Sequence, residues 1–237
     1  MSGFFITGTD TGVGKTFVAC ALIHALQQRG LTVAPMKPVA AGTIDVNGVP
    51  LNEDVALLME ATGHRFPLHA VNPYSFREPI APHIAAKREG VDIDMAVIRT
   101  AYGHLAGRAD CVLVEGAGGF LVPLSEHESM ALIPAALQLP VLLVVGMRLG
   151  CLNHALLTIE AIGSRGLALA GWIANTPAAG GIMNAYAENL STLTRMLGAP
   201  LIGELAYVDT GDTRLASRAA ASHLSTQILV PTTQEPR

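Results

Sequence analysis

Along the chain, apolar runs of strand length recur at Phe4 to Thr7, Thr32 to Met36, Cys111 to Glu115, Val141 to Gly146, Leu169 to Asn175 and Leu201 to Leu205. Between most of them lie stretches whose apolar residues return at helical spacing, Phe17 to Leu26 being the clearest. Runs without polar alternation suit strands buried on both faces, and strands separated by helical crossovers are parallel. The pattern predicts an α/β fold with a mostly parallel central sheet and helices on both faces. In such a sheet, ligands collect beyond the carboxyl ends of the strands. Lys15, Lys37, Glu115, the loop from Arg148 to Asn153, and Asn175 each fall at or just past one of those ends. They are expected to share one mouth.

Between Pro38 and Asp110 the rhythm breaks down. Prolines in V-N-P-Y-S-F (Val71 to Phe76) and P-I-A-P-H (Pro79 to His83) enforce extended or turn geometry and exclude a continuing helix. This stretch reads as irregular and functional. Residues 230–237, polar and holding two prolines, read as a frayed tail. A length of 237 residues accommodates one α/β domain with a full core, so residues 1–237 are expected to form a single domain.

Composition narrows the function. Half the residues are hydrophobic and 14% are charged, and the net charge of −4 comes with no basic run. Nucleic acid is therefore not an expected partner, because phosphate-backbone binding depends on clustered Lys and Arg. The N-terminus has no basic segment ahead of a long apolar one, and the run Leu139 to Val145 is too short to cross a bilayer. The expectation is a soluble, cytoplasmic protein that handles small ligands. Cys20, Cys111 and Cys151 form no C-x-x-C pair, and no histidine pairs with another or with a cysteine at metal-ligand spacing. Core thiols are expected, and a zinc site is not.

The most specific string is G-T-D-T-G-V-G-K-T, Gly8 to Thr16, which matches G-x-x-x-x-G-K-[ST] and lies between the first strand and the first helix. That context is what a phosphate-binding P-loop requires. The backbone of Thr11, Gly12, Val13 and Gly14 is expected to turn its N-H groups around phosphate oxygens. The helix N-terminus adds positive potential, Lys15 reaches the outer phosphates, and the Thr16 hydroxyl offers a ligand to Mg²⁺. A P-loop NTPase-type fold and a nucleoside triphosphate with Mg²⁺ follow.

Mg²⁺ also prefers carboxylates. Glu115 ends the run C-V-L-V-E and precedes G-A-G-G, whose glycines, Gly118 among them, let the backbone pass close to a ligand. Asp54, in L-N-E-D-V-A-L-L, is either a second metal ligand or a helix-capping acid. Lys37 leaves a buried strand and needs an anionic partner unless it snorkels to solvent. Asn175 is either a ligand-reading side chain or an ordinary strand-end residue. Lys87 has surface surroundings and receives no role.

Taken together these strings resemble the dethiobiotin synthetase family. The resemblance rests on G-T-D-T-G-V-G-K-T, K-P-V-A-A-G, V-N-P-Y-S-F with E-P-I-A-P-H, V-L-V-E-G-A-G-G-F-L-V-P-L, L-P-V-L-L-V-V-G, L-G-C-L-N-H-A-L-L-T and G-W-I-A-N, in family order from residue 3 to about 205. It implies a homodimer, with active sites at the subunit interface, that carboxylates and cyclises 7,8-diaminopelargonate with CO₂ and Mg-ATP. It further implies that Lys15 and Lys37 are catalytic, that Thr16, Asp54 and Glu115 ligate Mg²⁺, and that Asn175 reads the adenine edge. Lys37, Ala41, Pro79, Leu149, Gly150 and Asn153 would contact the diamine, the last three from across the interface. The chain departs from the family pattern at Gly12, Ala41, Ile80-Ala81 and Arg148, where a Glu, a hydroxyl residue, hydroxyl residues and a Lys are found in other members. The rival class, a switch ATPase of the partition or septum-positioning type, carries a second lysine early in the loop, where this chain has Asp10. A nucleotide-binding interaction module is the remaining alternative.

Overall fold

The computed structural model describes residues 2–46, 48–177, 183–207 and 211–230. The elements in chain order are β1 (Ser2–Gly8), α1 (Lys15–Gln27), β2 (Val33–Met36), β3 (Val39–Ala41), β4 (Ile44–Val46), β5 (Val49–Leu51), α2 (Glu53–Ala61), α3 (Leu68–Val71), β6 (Tyr74–Phe76), α4 (Pro82–Glu89) and α5 (Met95–Ala106). They continue with β7 (Cys111–Gly119), α6 (Leu132–Leu137), β8 (Val141–Gly146), α7 (Cys151–Gly163), β9 (Leu169–Asn175), α8 (Tyr186–Met196), β10 (Leu201–Leu205) and α9 (Thr213–Ala220).

The central sheet has six strands in the order β10-β9-β8-β1-β7-β2, and every pairing in it is parallel. These are the six apolar runs of the sequence. Successive residues of each strand point to opposite faces, and both faces are dry. Phe5, Val112 and Val114 pack with α5 and α6 on one side, while Phe4, Ile6, Cys111 and Leu113 pack with α1 and α9 on the other. Leu143, Val145, Trp172 and Ala174 extend the first side beneath α7 and α8.

The segment from Pro38 to Asp110 departs from the sequence reading. Instead of an irregular connection it holds the parallel pair β3-β6, the hairpin β4-β5 and the helices α2 to α5. Three-residue strands are too short to show a period of two, so pattern alone passes over them. Local signals are nonetheless present: Asn52 accepts the Asp54 and Val55 amides to cap α2, Pro82 opens α4, and Gly90 at φ 67° closes it. The frayed tail expected over 230–237 falls on residues that, apart from Val230, lie outside the described set.

Register brings the carboxyl ends together. Ile6 lies beside Glu115, Gly8 beside Val144, and Gly146 beside Asn175. The loop after β1 therefore rests on the end of β8, where a Cβ added to Gly146 would meet the Val13 side chain at 2.8 Å. Replacing Gly146 by Ala should cost about 1–3 kcal/mol through overpacking. Adding Val13→Ala should recover part of that loss, as read from urea unfolding.

Candidate active site

The loop from Gly8 to Thr16 has the backbone that its glycines permit. Gly12 and Gly14 sit at φ 72° and 86°, a region costly for any residue with a Cβ. Val13 is buried and pins the loop against Gly8 and Gly146. Gly14 is the N-cap of α1, which points its free amides out of the sheet mouth, as an anion site requires. Lys15 is buried and donates to the Asp10 carbonyl at 3.0 Å. Thr11 is exposed, and a Cβ on Gly118 would lie 3.5 Å from its hydroxyl, so the glycine-rich end of β7 faces the loop.

Behind the loop lies a buried ionic cluster. Lys37, 3% exposed, donates to Glu115 Oε1 at 2.7 Å and also to Asp54 Oδ2. The Thr16 hydroxyl donates to the same Glu115 Oε1 at 2.8 Å. Lys37 is held from below by its backbone: its amide donates to the Val71 carbonyl at 2.8 Å, and its carbonyl accepts Asn72 Nδ2 at 2.6 Å. Burial alone would lower the Lys37 pKa, but the carboxylates of Glu115 and Asp54 override it and the value is raised. Burial pushes the Asp54 carboxyl up, Lys37 pulls it down, and the net direction is down. Lys15 is lowered by burial despite the pull of Glu115.

The alternative readings of Lys37, Asp54 and Asn175 can now be weighed. Lys37 does not snorkel. The helix cap of α2 is Asn52, so Asp54 is free of that duty and turns to the cluster. Asn175, at the end of β9, is 2% exposed and donates to the Val13 carbonyl at 2.8 Å, which makes it a brace beneath the phosphate loop. It also lines a cavity of about 350 Å³ with Phe17, Thr176, Pro177, Tyr207 and Asp212. The sequence reading missed Thr176, Pro177 and Tyr207 because they follow strand ends without any motif; extending the strand-end rule to β10 is the signal that finds Tyr207.

Pro79 lies against Gly42, the neighbour of Ala41, and Asn52, the cap of α2, ties that turn to the helix that carries Asp54. A Cβ on Gly42 would lie 2.9 Å from Pro79 Cβ, and Asn52 Nδ2 donates to the Ala41 and Gly42 carbonyls at 3.3 and 2.7 Å. Leu149, Gly150 and Asn153 lie on the loop and first turn of α7, where Leu149 is 94% exposed. They face outward from the chain that carries them.

The oxygen set of Thr16, Asp54 and Glu115 fits a hard divalent cation. Glu115 Oε2 is buried and has no hydrogen-bond partner among the described residues, so the carboxylate has an unused ligand atom. No group of three His, Cys, Asp or Glu suited to a metal occurs among those residues. An ion here would depend on two carboxylates, a hydroxyl and oxygens from ligand or water, which is the habit of Mg²⁺.

A family model described as an AAA domain matches residues 2–213. The ATP-dependent dethiobiotin synthetase BioD of Aromatoleum aromaticum is 53% identical over 211 residues, 88% of this chain and 92% of that protein. The BioD of Nitrosospira multiformis is 52% identical over 214 residues, 90% and 91% of the respective chains. The chain belongs to the dethiobiotin synthetase family. With that family it is an ATP-dependent ligase.

Among solved structures, the MinC:MinD cell division complex of Aquifex aeolicus aligns at TM-score 0.59 and 14% identity, over 100% of this chain and 99% of that one. A ParA family ATPase from Chlorobium tepidum aligns at TM-score 0.53 and 15% identity, over 96% of each. At such identity the likeness is one of fold: the P-loop NTPase architecture expected from the sequence is the one observed.

The Asp54 shift sets a pH dependence. Its pKa is depressed in the folded protein, so the stability it contributes is present above its unfolded value near 4 and is lost as pH falls through the folded value. The stability gap between the wild type and Asp54→Asn should therefore hold from pH 7 to about 5 and close below about 4, as read from urea unfolding at each pH.

Proposed function

We propose that this dethiobiotin synthetase family member joins CO₂ to 7,8-diaminopelargonate and closes the ring to dethiobiotin, consuming Mg-ATP. The observation that carries the reading is the Lys37 ammonium, buried between Glu115 and Asp54, with the Thr16 hydroxyl of the phosphate loop donating to the same Glu115 oxygen. A cation held at that depth suits chemistry in which an anionic nucleophile must approach a polyphosphate.

The route we propose has three steps. One substrate amine adds to CO₂, giving a carbamate and releasing a proton. The carbamate oxygen attacks the γ-phosphorus, forming a carbamic-phosphoric anhydride as ADP leaves. The second amine then attacks the carbamoyl carbon, the C-O bond to phosphate breaks, and the cyclic urea and phosphate depart with a proton. Lys15, buried at the loop, binds the outer phosphates. Lys37 orients the carbamate and offsets the charge that gathers on the transferring phosphoryl group. Thr16, Asp54 and Glu115 would hold Mg²⁺, which would supply charge neutralisation at the phosphates.

Asn175 and the cavity it lines receive the base. Its Nδ2 is committed to Val13, leaving its carbonyl oxygen as an acceptor for an exocyclic amine. Ala41 and Pro79 line the diamine path. The exposure of Leu149, Gly150 and Asn153 supports a homodimer in which this segment serves the partner's site, since a two-fold contact presents it twice.

Phosphate release should depend on 7,8-diaminopelargonate and bicarbonate together. Lys37→Ala should lower kcat by about 10²- to 10⁴-fold while ATP binding weakens far less. Lys87→Ala, at an 80% exposed side chain, should be silent. Diamine-independent phosphate release, or a Lys37→Ala enzyme with normal turnover, would contradict the reading.

A further inference from the structure

The segment after β8 carries a residue that the phosphate-loop motif does not announce. Arg148 Nη2 donates to Asp10 Oδ2 at 2.5 Å, both side chains being about half exposed. Asp10 is engaged at two further points. Its Oδ1 accepts the Thr11 amide at 2.7 Å, and its backbone carbonyl accepts Lys15 Nζ at 3.0 Å. Arg148 is fixed in turn by its own backbone, its amide donating to the Gly146 carbonyl at 2.9 Å and its carbonyl accepting the Cys151 amide at 3.0 Å. One ion pair thus joins the first half of the phosphate loop to the turn that opens α7.

A carboxylate three residues into a loop that receives phosphates is an electrostatic liability. At a few ångströms, like charges near a protein surface repel. The Arg148 guanidinium cancels that charge. It also leaves Asp10 Oδ1 on the Thr11 amide, which keeps the turn in one shape. A pair this exposed contributes little to folding stability, so its consequence lies in what the loop binds.

We propose that Arg148 is a positioning residue for triphosphate binding: it neutralises Asp10 and holds the first half of the loop ready for the phosphates. The inference rests on the nucleotide reading above and adds to it a residue outside the motif. Because Arg148 also opens the turn leading to Leu149, Gly150 and Asn153, the same contact ties the phosphate loop to the segment assigned to the substrate.

A double-mutant cycle tests this. Wild type, Arg148→Met, Asp10→Asn and the double variant are compared by calorimetric titration with Mg-ATP, by kcat and KM for ATP, and by urea unfolding. Arg148→Met should weaken Mg-ATP binding about 5- to 20-fold, with the change falling on KM more than on kcat and the unfolding midpoint little moved. Arg148→Lys should keep most of the affinity. Adding Asp10→Asn to Arg148→Met should bring binding back to within about threefold of wild type, since the unneutralised charge is gone. Arg148→Met binding Mg-ATP as tightly as wild type, or a double variant no tighter than Arg148→Met, overturns the proposal. A wild-type protein that binds no Mg-ATP overturns instead the nucleotide reading on which it stands.

Discussion

A single buried carboxylate organises the mouth of this sheet. Glu115 is 1% exposed on β7, the strand between β1 and β2, and one of its oxygens accepts both the Lys37 ammonium and the Thr16 hydroxyl. A buried ion without a partner would cost several kcal/mol. Lys37 must therefore stay charged and stay close, which its raised pKa expresses. Asp54 joins from α2, so three separate elements converge because one charge cannot be left alone.

The placement of that charge follows from the sheet. Parallel strands point their carboxyl ends in one direction, and the order β2-β7-β1 with its register sets Lys37, Glu115 and the start of the phosphate loop side by side. The Val, Leu, Ile and Phe residues of these strands bury both faces, which leaves the ends as the one place where polar groups can gather. Glycine shapes the rest: Gly14 turns the chain into α1, and Gly146 leaves room for Val13.

Much of this was legible in the sequence, for physical reasons. A strand buried on both faces must be apolar throughout, so all six strands of the large sheet stand out as runs. Lys15 and Thr16 are readable from the phosphate-loop motif, and Lys37 and Glu115 because one directly follows such a run and the other closes one. The small pairs β3-β6 and β4-β5 were not legible, being too short to carry a period. Asp54 and Asn175 were ambiguous until geometry supplied their neighbours: Asn52 takes the cap, and Val13 takes the Asn175 amide. The Asp10-Arg148 pair spans 138 positions and has no motif, so only the fold brings it to view. The cavity beside Asn175 is assembled from the ends of β9 and β10 and the start of α9, and its outline likewise belongs to tertiary structure.

Two duties meet at Glu115: it anchors Lys37, and in the proposed mechanism it also seats a divalent cation. The most direct measurement is the Mg²⁺ dependence of diamine-driven phosphate release at saturating ATP, in wild type and in Glu115→Gln. The substitution keeps the shape and removes the charge. The Mg²⁺ concentration for half-maximal activity is expected to rise about tenfold or more in the variant, since a carboxylate ligand has become an amide. An unchanged Mg²⁺ titration, with turnover intact, would contradict it.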